Sequence, residues 1–227
     1  MRGRVCSDGY TRRVAAETRW AGVSRDDRRS VRRDLLIEAA FELFGTGGEG
    51  ALSVRAVSRE SGLNHRYFYE SFNDLDELLG AVYDKVYSEL RRILTAATVD
   101  MPDDRSRLRG GIRAVLDFSA ADPRHGQILF SAAPTSPALV ERRAQALRDL
   151  REYIFAVRKR DDPRSDPVAA EVAAAIYAGA TTQLNEQWLS GSLGTDLDRV
   201  IEQAVEIMTP DPTGMPAPAK GPRKRSR

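Results

Sequence analysis

The sequence predicts an all-α fold of about nine helices. Apolar residues recur every three or four positions through most of the 227 residues, which is the period of an amphipathic helix. Capping side chains stand directly before prolines at Asp122-Pro123, Ser136-Pro137 and Asp166-Pro167, where the proline suits the first helical position. The sequence contains no pair of alternating strands around a tight turn, so nothing in it indicates a β-hairpin.

These signals place the helices in chain order. An apolar stripe ending at Phe44 marks the first helix, and Ser53 opens a short second helix that Gly62 ends. Asn73 and the acidic residues after it open a long fourth helix, because negative charge stabilises a helix N-terminus. Thr195 followed by Asp198 resembles a capping box before the last helix. The predicted spans are about 30–45, 54–61, 64–72, 74–97, 105–121, 123–132, 137–159, 167–190 and 196–208.

The composition makes several classes of protein poor candidates. One cysteine, Cys6, cannot form an internal disulfide or a thiolate zinc cluster, and no apolar run reaches the length of a membrane helix. We therefore expect a soluble cytoplasmic protein with no membrane contact, no metal and no cofactor. The two histidines are His65 and His125, the latter predicted at the surface or in a cap, and the chain has no HExxH motif, phosphate loop or nucleophile elbow. We do not expect an enzyme.

Charge is concentrated at the two ends of the chain. Residues 1–33 hold ten arginines against four acids, and residues 210–227 hold five basic residues against one acid. The body between them is net acidic, since the whole chain carries only +2. We interpret residues 1–28 as a basic disordered arm and residues 210–227 as a disordered basic tail. Such ends either hold nucleic acid or only increase solubility.

Residues 53–72 predict a helix-turn-helix. Two short helices are joined by Gly62-Leu63, and Val54, Val57 and Leu63 provide apolar contacts between them. At 100° per residue, Phe68 and Phe72 share one face of the second helix while Arg66 and Glu70 lie opposite. Two aromatic residues are thus predicted to pack, and Tyr67 and Tyr69 to flank an exposed arginine.

This exposed face has the chemistry of a DNA contact. An arginine reaches guanine O6 and N7, a tyrosine hydroxyl reaches a phosphate, and N–H groups at a helix start favour an anion. The alternative is a surface turn with a solvated arginine and two tyrosines at its rim. The candidate DNA-binding residues are Ser53, Arg55, Asn64, His65, Arg66, Tyr67 and Tyr69.

Residues from about 33 to 86 resemble the N-terminal domain of the tetracycline-repressor (TetR) family of bacterial transcription regulators. The resemblance is carried, in order, by IEAAFELF at 37–44, ALSVRAVS at 51–58, SGL at 61–63, YFY at 67–69 with Phe72, and NDLDELL at 73–79. The chain departs from the family pattern at His65-Arg66, where the family often has smaller residues, and at Ser71. These departures affect which DNA sequence the resemblance would predict as the target. They do not affect the prediction that the protein binds DNA.

The resemblance implies two domains. Residues 29–75 would form a three-helix DNA-binding domain with the helix-turn-helix, and residues 76–209 a helical ligand-binding and dimerisation domain. It further implies a homodimer through the last two helices, a palindromic double-stranded operator, and release of a repressor by a small effector bound between the fourth and eighth helices. The alternative for the last two helices, including Ile201, Ala204 and Val205, is an intramolecular core.

The predicted effector is mostly apolar, because no dense charge cluster occurs in this region. Plain core packing is the alternative for each lining candidate. For the whole chain, one alternative is a TetR-like protein that has lost DNA binding and binds ligands or proteins, and a weaker one is a helical-bundle enzyme. The lining candidates are Tyr83, Phe118, Phe130, Phe155, Tyr177 and Thr181.

Overall fold

The computed structural model describes residues 25–130, 135–161, 163–164 and 166–209. The predicted tail and all but the last four residues of the predicted arm lie outside this part of the chain. Within it every regular element is helical, which confirms the predicted fold class. A 3₁₀ turn, Glu49–Ala51, lies between the first two helices. The nine α-helices of the described residues are α1 Arg25–Gly47, α2 Val54–Ser61, α3 His65–Tyr69, α4 Leu75–Thr98, α5 Asp104–Ala121, α6 Pro123–Phe130, α7 Pro137–Asp161, α8 Pro167–Leu189 and α9 Leu197–Met208.

Two helix boundaries differ from the predicted ones by three residues or more. Helix α1 begins at Arg25, five residues before the predicted start, so the end of the predicted arm is helical. Helix α3 ends at Tyr69 and does not reach Phe72. The reason is the start of α4 immediately downstream, where the Asp74 side chain accepts a hydrogen bond from the Glu77 N–H at 2.8 Å and fixes a new helix axis.

One apolar core joins the predicted DNA-binding domain to the helices that follow it. Phe44 of α1, Phe68 of α3 and Phe72, which follows α3, are fully buried in the same cluster as Ile128 of α6 and Leu139 of α7. Helix α4 contributes residues to this core along most of its length, from Leu78 to Leu90. The helix-turn-helix is therefore packed against the helices that follow it through a shared core, and is not joined to them by a linker alone.

The last helix packs inside the chain. Ile201, Ala204 and Val205 of α9 are buried against Leu108, Ile112 and Leu116 of α5. These three residues therefore belong to a core within the chain, and the pairing of the last two helices with a second copy stays a prediction for their other faces. Three ion pairs follow the α5–α9 contact, Arg105–Glu206 at 2.7 Å, Arg109–Glu202 at 2.6 Å and Arg113–Asp198.

Helix α8 has one packed face and one free face. Ala170, Ala173 and Ala174 lie against Ile154 of α7, where small side chains let the two helices approach closely. On the other side Val168, Val172 and Ile176 are more than half exposed at four-residue spacing. Beside them Ala175 and Gly179 are less buried than the packed alanines. Among the described residues, none covers this apolar stripe.

Candidate functional site

The turn between α2 and α3 is built from backbone capping. The Ser53 hydroxyl accepts a hydrogen bond from the Ala56 N–H at 3.1 Å and starts α2. Gly62 ends it with φ of 69°, while its own N–H donates to the Arg59 carbonyl at 3.3 Å and the Leu63 N–H donates to the Ser58 carbonyl at 3.1 Å. These two bonds satisfy the last carbonyls of α2 and set the angle at which α3 leaves it.

Replacing Gly62 by alanine is expected to destabilise the fold by about 1–2 kcal/mol, because a side chain disfavours positive φ. A Cβ atom at Gly62 would meet no atom within 4 Å, so the cost is confined to the backbone. Gly191→Ala is the matched control, since Gly191 has φ of 76°, equal room, and lies after α8. Thermal unfolding should show similar losses for both, and DNA binding should weaken only for Gly62→Ala. Unchanged DNA affinity in Gly62→Ala would contradict a role of this turn in aiming α3.

Helix α3 separates its residues into a buried and an exposed face as predicted. Phe68 has no exposed surface and Phe72 only 2%, whereas the Arg66 side chain is 83% exposed and Tyr69 is 62% exposed. The Asn64 side chain accepts a hydrogen bond from the Arg66 N–H at 3.0 Å and caps the helix. The buried pair thus fixes the rotation of α3, and this rotation directs Arg66 and Tyr69 toward solvent.

The structure places the other predicted DNA-binding residues on the same two helices or their caps. Ser53 and Arg55 are exposed at the start of α2, and Asn64 and His65 are exposed at the start of α3. Tyr67 differs from these four residues in its exposure. It is half-buried, and the Arg32 guanidinium lies 4.4 Å from its ring centroid.

Two arginines of α1 contact the end of α3, and the sequence analysis did not predict these contacts. Arg32 covers the Tyr67 ring and lies 3.5 Å from the Glu70 carboxylate. Arg33 donates to the Ser71 carbonyl at 2.7 Å and lies 4.1 Å from the centre of the Phe72 ring. Both belong to the arginine-rich start of the chain, yet their guanidinium groups contact the end of α3. No local pattern links residues nearly forty positions apart.

Three acidic residues of the predicted DNA-binding head, taken as residues 34–80, pair with cations, and two of these cations belong to other segments. Residues 34–80 contain nine acids and three arginines. Glu38 pairs with Lys85 of α4 at 2.5 Å, Glu42 with Arg124 of α6, and Glu70 with Arg66 at 2.9 Å. The electrostatic potential of this region is therefore less negative than the count of charged residues in 34–80 suggests.

A cavity of about 1470 Å³ lies between α4, α5, α7 and α8. Its size exceeds that of a typical small-molecule site, which is about 300–1000 Å³. Tyr83 and Tyr87 form a stacked pair on its α4 wall, with ring centroids 6.0 Å apart. Four of the predicted lining residues border this space: Tyr83, Phe130, Tyr177 and Thr181.

Phe118 and Phe155 do not line the cavity, which corrects that part of the prediction. Phe118 is buried and stacks on His125 with ring centroids 4.1 Å apart. Phe155 packs with the α7–α8 contact, and Lys159 Nζ lies 5.6 Å from its ring centroid. His125 was predicted at the surface or in a cap, but it is enclosed by Phe118 and by Phe41 of α1. The helical period indicates burial but cannot distinguish a core face from a cavity face.

The phenols of Tyr83 and Tyr87 remain neutral near pH 7. Burial raises the pKa of Tyr83 to about 12. Burial, and then the Asp149 carboxylate that accepts its hydrogen bond at 3.3 Å, also raise the pKa of Tyr87. Thr98 Oγ1 and the Tyr153 hydroxyl share a hydrogen bond of 2.7 Å. These groups can orient a ligand by hydrogen bonding without adding charge.

The part of the chain that the structure describes contains neither a metal-binding cluster nor a helix able to cross a membrane. No group of three His, Cys, Asp or Glu residues there is arranged to hold a metal ion. No helix there combines the length and the apolar character that crossing a bilayer requires.

Comparison with known proteins identifies the N-terminal segment. Residues 36–82 match the profile of the family described as bacterial regulatory proteins, tetR family. This confirms the family resemblance that the sequence predicts for these residues. The matched segment contains α2, α3, the turn between them and the first turns of α4.

Solved structures share the fold over most of the chain. The fatty acid degradation regulator FadR from Bacillus halodurans is 14% identical with a TM-score of 0.62, over 78% of this chain and 94% of that one. A transcriptional regulator from Rhodococcus sp. Rha1 is 23% identical with a TM-score of 0.63, over 78% and 92%. The multidrug binding protein EbrR, solved with imidazole, is 24% identical with a TM-score of 0.60, over 80% and 96%. At these identities the likeness concerns the fold.

Proposed function

We propose that this chain acts as a dimeric repressor. The premise is that the match over residues 36–82 makes it a member of the tetR family of regulatory proteins. In this proposal the repressor binds a palindromic DNA operator and a small, mostly apolar effector releases it. The observation that carries the DNA-binding part is the anchoring of α3, since buried Phe68 within the helix and buried Phe72 just after it leave Arg66 and Tyr69 in solvent. A helix anchored in this way can enter a major groove without losing its orientation.

DNA reading would divide between two kinds of contact. Arg66, the most exposed side chain of α3, would donate two hydrogen bonds to a guanine edge. Tyr69 and the polar groups at the starts of α2 and α3 would contact phosphates and set the register on the duplex. In this scheme Glu70 competes with DNA for Arg66, because its carboxylate accepts a hydrogen bond from Arg66 Nε at 2.9 Å.

Dimerisation would use the free face of α8. Val168, Val172 and Ile176 repeat at four-residue spacing, which makes a stripe that a second copy of the same helix can match. Ile207 of α9, which is 75% exposed, would extend this surface. Two heads related by a two-fold axis would then read half-sites about one DNA turn apart.

Effector control would act through α4. This helix forms one wall of the cavity through Tyr83 and Tyr87, and it begins at Leu75, shortly after α3 ends. A ligand that prefers one position of α4 would shift the separation of the two heads, and DNA would in turn weaken ligand binding by the same factor. Equal effector affinity for free and DNA-bound protein would rule out this coupling.

The decisive test is selection of binding sites from a random duplex library with the purified protein at moderate salt. The proposal predicts an enriched palindrome with a guanine at a fixed position in each half-site. Enrichment of a single half-site would contradict the dimer. Absence of any enrichment at low salt would contradict DNA reading and favour the alternative in which the protein binds only ligands or proteins.

Glu70→Gln is expected to increase affinity for the selected site by about threefold to tenfold, because Arg66 no longer leaves a charged partner and one anion near the phosphates is removed. Fluorescence anisotropy at constant salt measures this. Glu89→Gln, an equal charge change at an exposed position of α4, is the control and should leave affinity unchanged. Weaker binding by Glu70→Gln would mean that the carboxylate positions Arg66 for DNA.

Deleting residues 1–24 is expected to flatten the salt dependence of DNA binding. This segment contains five arginines that precede α1, and the log–log slope falls by about 0.9 for each phosphate that the protein no longer neutralises. Deleting residues 210–227 removes a similar charge after α9, which packs on α5, and should leave the slope unchanged. An unaltered slope in the first deletion would show that the arm does not contact phosphates.

A further inference from the structure

The start of α7 contacts both flanks of the helix-turn-helix. Thr135 donates two hydrogen bonds to Glu49 in the 3₁₀ turn before α2, from its N–H at 3.0 Å and from its hydroxyl at 2.7 Å. The next residue, Ser136, donates its hydroxyl at 2.7 Å to the carboxylate of Asp76 in the first turn of α4. Residues 53–72 therefore lie between two carboxylates that are held by two consecutive residues.

These hydrogen bonds restrict the direction of the contact as well as its distance. The two donors of Thr135 reach different oxygens of the Glu49 carboxylate. Ser136 is 5% exposed, and Leu139 further along α7 is 1% exposed in the core that contains Phe68. Hydrogen bonds are directional and the hydrophobic effect is not, so the core attaches the head while the hydrogen bonds set its angle.

Helix α7 in turn packs against the helix proposed for dimerisation. Ile154 of α7 is buried with Ala170 of α8. The free face of α8, which includes Val172, lies on the other side of the same helix. The position of each head relative to a partner copy would therefore be passed from α8 through α7 to Thr135 and Ser136.

Ion pairs attach a different part of the head. Glu38 of α1 pairs with Lys85 of α4. Glu42, also of α1, pairs with Arg124 of α6. These pairs hold α1 on the rest of the molecule, whereas the hydrogen bonds at the start of α7 act next to α2 and α4. Removing those hydrogen bonds should therefore change the position of the head without detaching it.

We propose that Thr135 and Ser136 are positioning residues that fix the separation of the two DNA-reading heads and so determine which half-site spacing is bound. This inference rests on the proposed function, since it requires a dimer that binds a palindrome. It assigns part of the DNA specificity to two side chains outside α2 and α3. Arg66 would read a base within each half-site, and the two hydroxyls would select the distance between half-sites.

A series of duplexes that differ only in the gap between half-sites tests the proposal. The half-sites enriched by the wild-type protein are placed at the selected spacing and at gaps changed by one base pair at a time. Each base pair rotates one half-site by about 35° relative to the other around the DNA axis. Fluorescence anisotropy gives the ratio of affinities for the best spacing and the next one. Because this spacing ratio compares two duplexes on one protein, changes in stability and in general DNA affinity cancel.

Thr135→Val and Ser136→Ala remove the two hydroxyls without changing the net charge. The combined variant should lower the spacing ratio by about threefold to tenfold, since one hydrogen bond contributes a factor of about two to ten. Its affinity for a duplex with a single half-site should be unchanged. Thr135→Val alone should lower the ratio by about twofold, and it decides the test if the combined variant does not fold, because Thr135 is exposed and its replacement leaves no cavity in the core.

Thr46→Val is the matched control. Thr46 is an exposed threonine of α1, and its hydroxyl donates to the Glu42 carbonyl at 2.7 Å within the same helix. This variant loses a hydroxyl from the head but no contact with α7, so it should keep the wild-type spacing ratio. An equal fall of the ratio in Thr46→Val would overturn the inference.

The outcomes separate this inference from the proposed function. If the wild-type protein binds every spacing equally, the dimeric reader of a palindrome is contradicted and the inference fails with it. If the wild-type protein prefers one spacing and the variants keep the same ratio, the inference alone is overturned. Weaker binding of a single half-site at a constant ratio also overturns it, because the two residues then support the fold of the head and not its position.

Discussion

Phe68→Ala should lower the free energy of unfolding by about 3–5 kcal/mol, the largest loss we expect from a single substitution in α3. Phe68 has no exposed surface, and its ring lies 6.0 Å from that of Phe72 and 5.3 Å from that of Tyr69. Removing it leaves a cavity in the core that joins α3 to α1 and α4. Thermal unfolding followed by circular dichroism should show a Tm lower by about 10 °C or more.

Tyr69→Ala is the matched control for this prediction. The two residues are adjacent aromatics of the same helix, but Tyr69 is 62% exposed. Its replacement should change stability by less than about 1 kcal/mol and instead weaken DNA binding, because the hydroxyl that would bind a phosphate is removed. A similar stability loss in both variants would mean that α3 is held by its aromatic surface as a whole and that the separation into two faces is incorrect.

Arg66→Ala should weaken binding to the selected operator by about 2–6 kcal/mol in a dimer, since each bidentate contact to guanine contributes about 1–3 kcal/mol. The fold should be unaffected, because the side chain is 83% exposed. Anisotropy titration against the operator and against a duplex with the guanine replaced measures both affinity and specificity. The variant should bind the two duplexes equally.

Arg66→Lys and Arg92→Ala give the comparisons that this result needs. Lysine keeps the charge but lacks the planar fork, so it should retain nonspecific affinity and lose most of the base preference. Arg92 is an exposed arginine of α4, and its removal should have little effect. Full discrimination between the two duplexes by Arg66→Ala would show that another residue reads the guanine.

The fold could be predicted largely because its boundaries depend on local chemistry. Helices α6, α7 and α8 begin at Pro123, Pro137 and Pro167, where the sequence places them. Gly62 ends α2 as predicted, and the 100° period assigns Phe68 to the core. These features depend on neighbours within one or two helical turns, and such neighbours are visible in the sequence.

The remaining features depend on contacts between distant segments. The contacts of Arg32 with Tyr67 and of His125 with Phe118 and Phe41 have no signature in local spacing. The α5–α9 ion pairs are different, because their arginines and their acids each repeat every four residues in the sequence. A search for complementary charge repeats would have indicated this contact, and with it the intramolecular role of Ile201.

The continuous core limits how this protein can be recombined with its relatives. A chimera that joins residues 25–75 to the body of another regulator would bring Phe44, Phe68 and Phe72 against side chains not shaped for them, where Ile128 and Leu139 now lie. Mismatched cores lose packing at both new surfaces. Under the proposed function, a change in the DNA sequence that is read is therefore expected to arise through substitutions on the solvent side of α2 and α3. Exchange of residues 25–75 as a unit should succeed only when the facing residues of α4, α6 and α7 are exchanged with them.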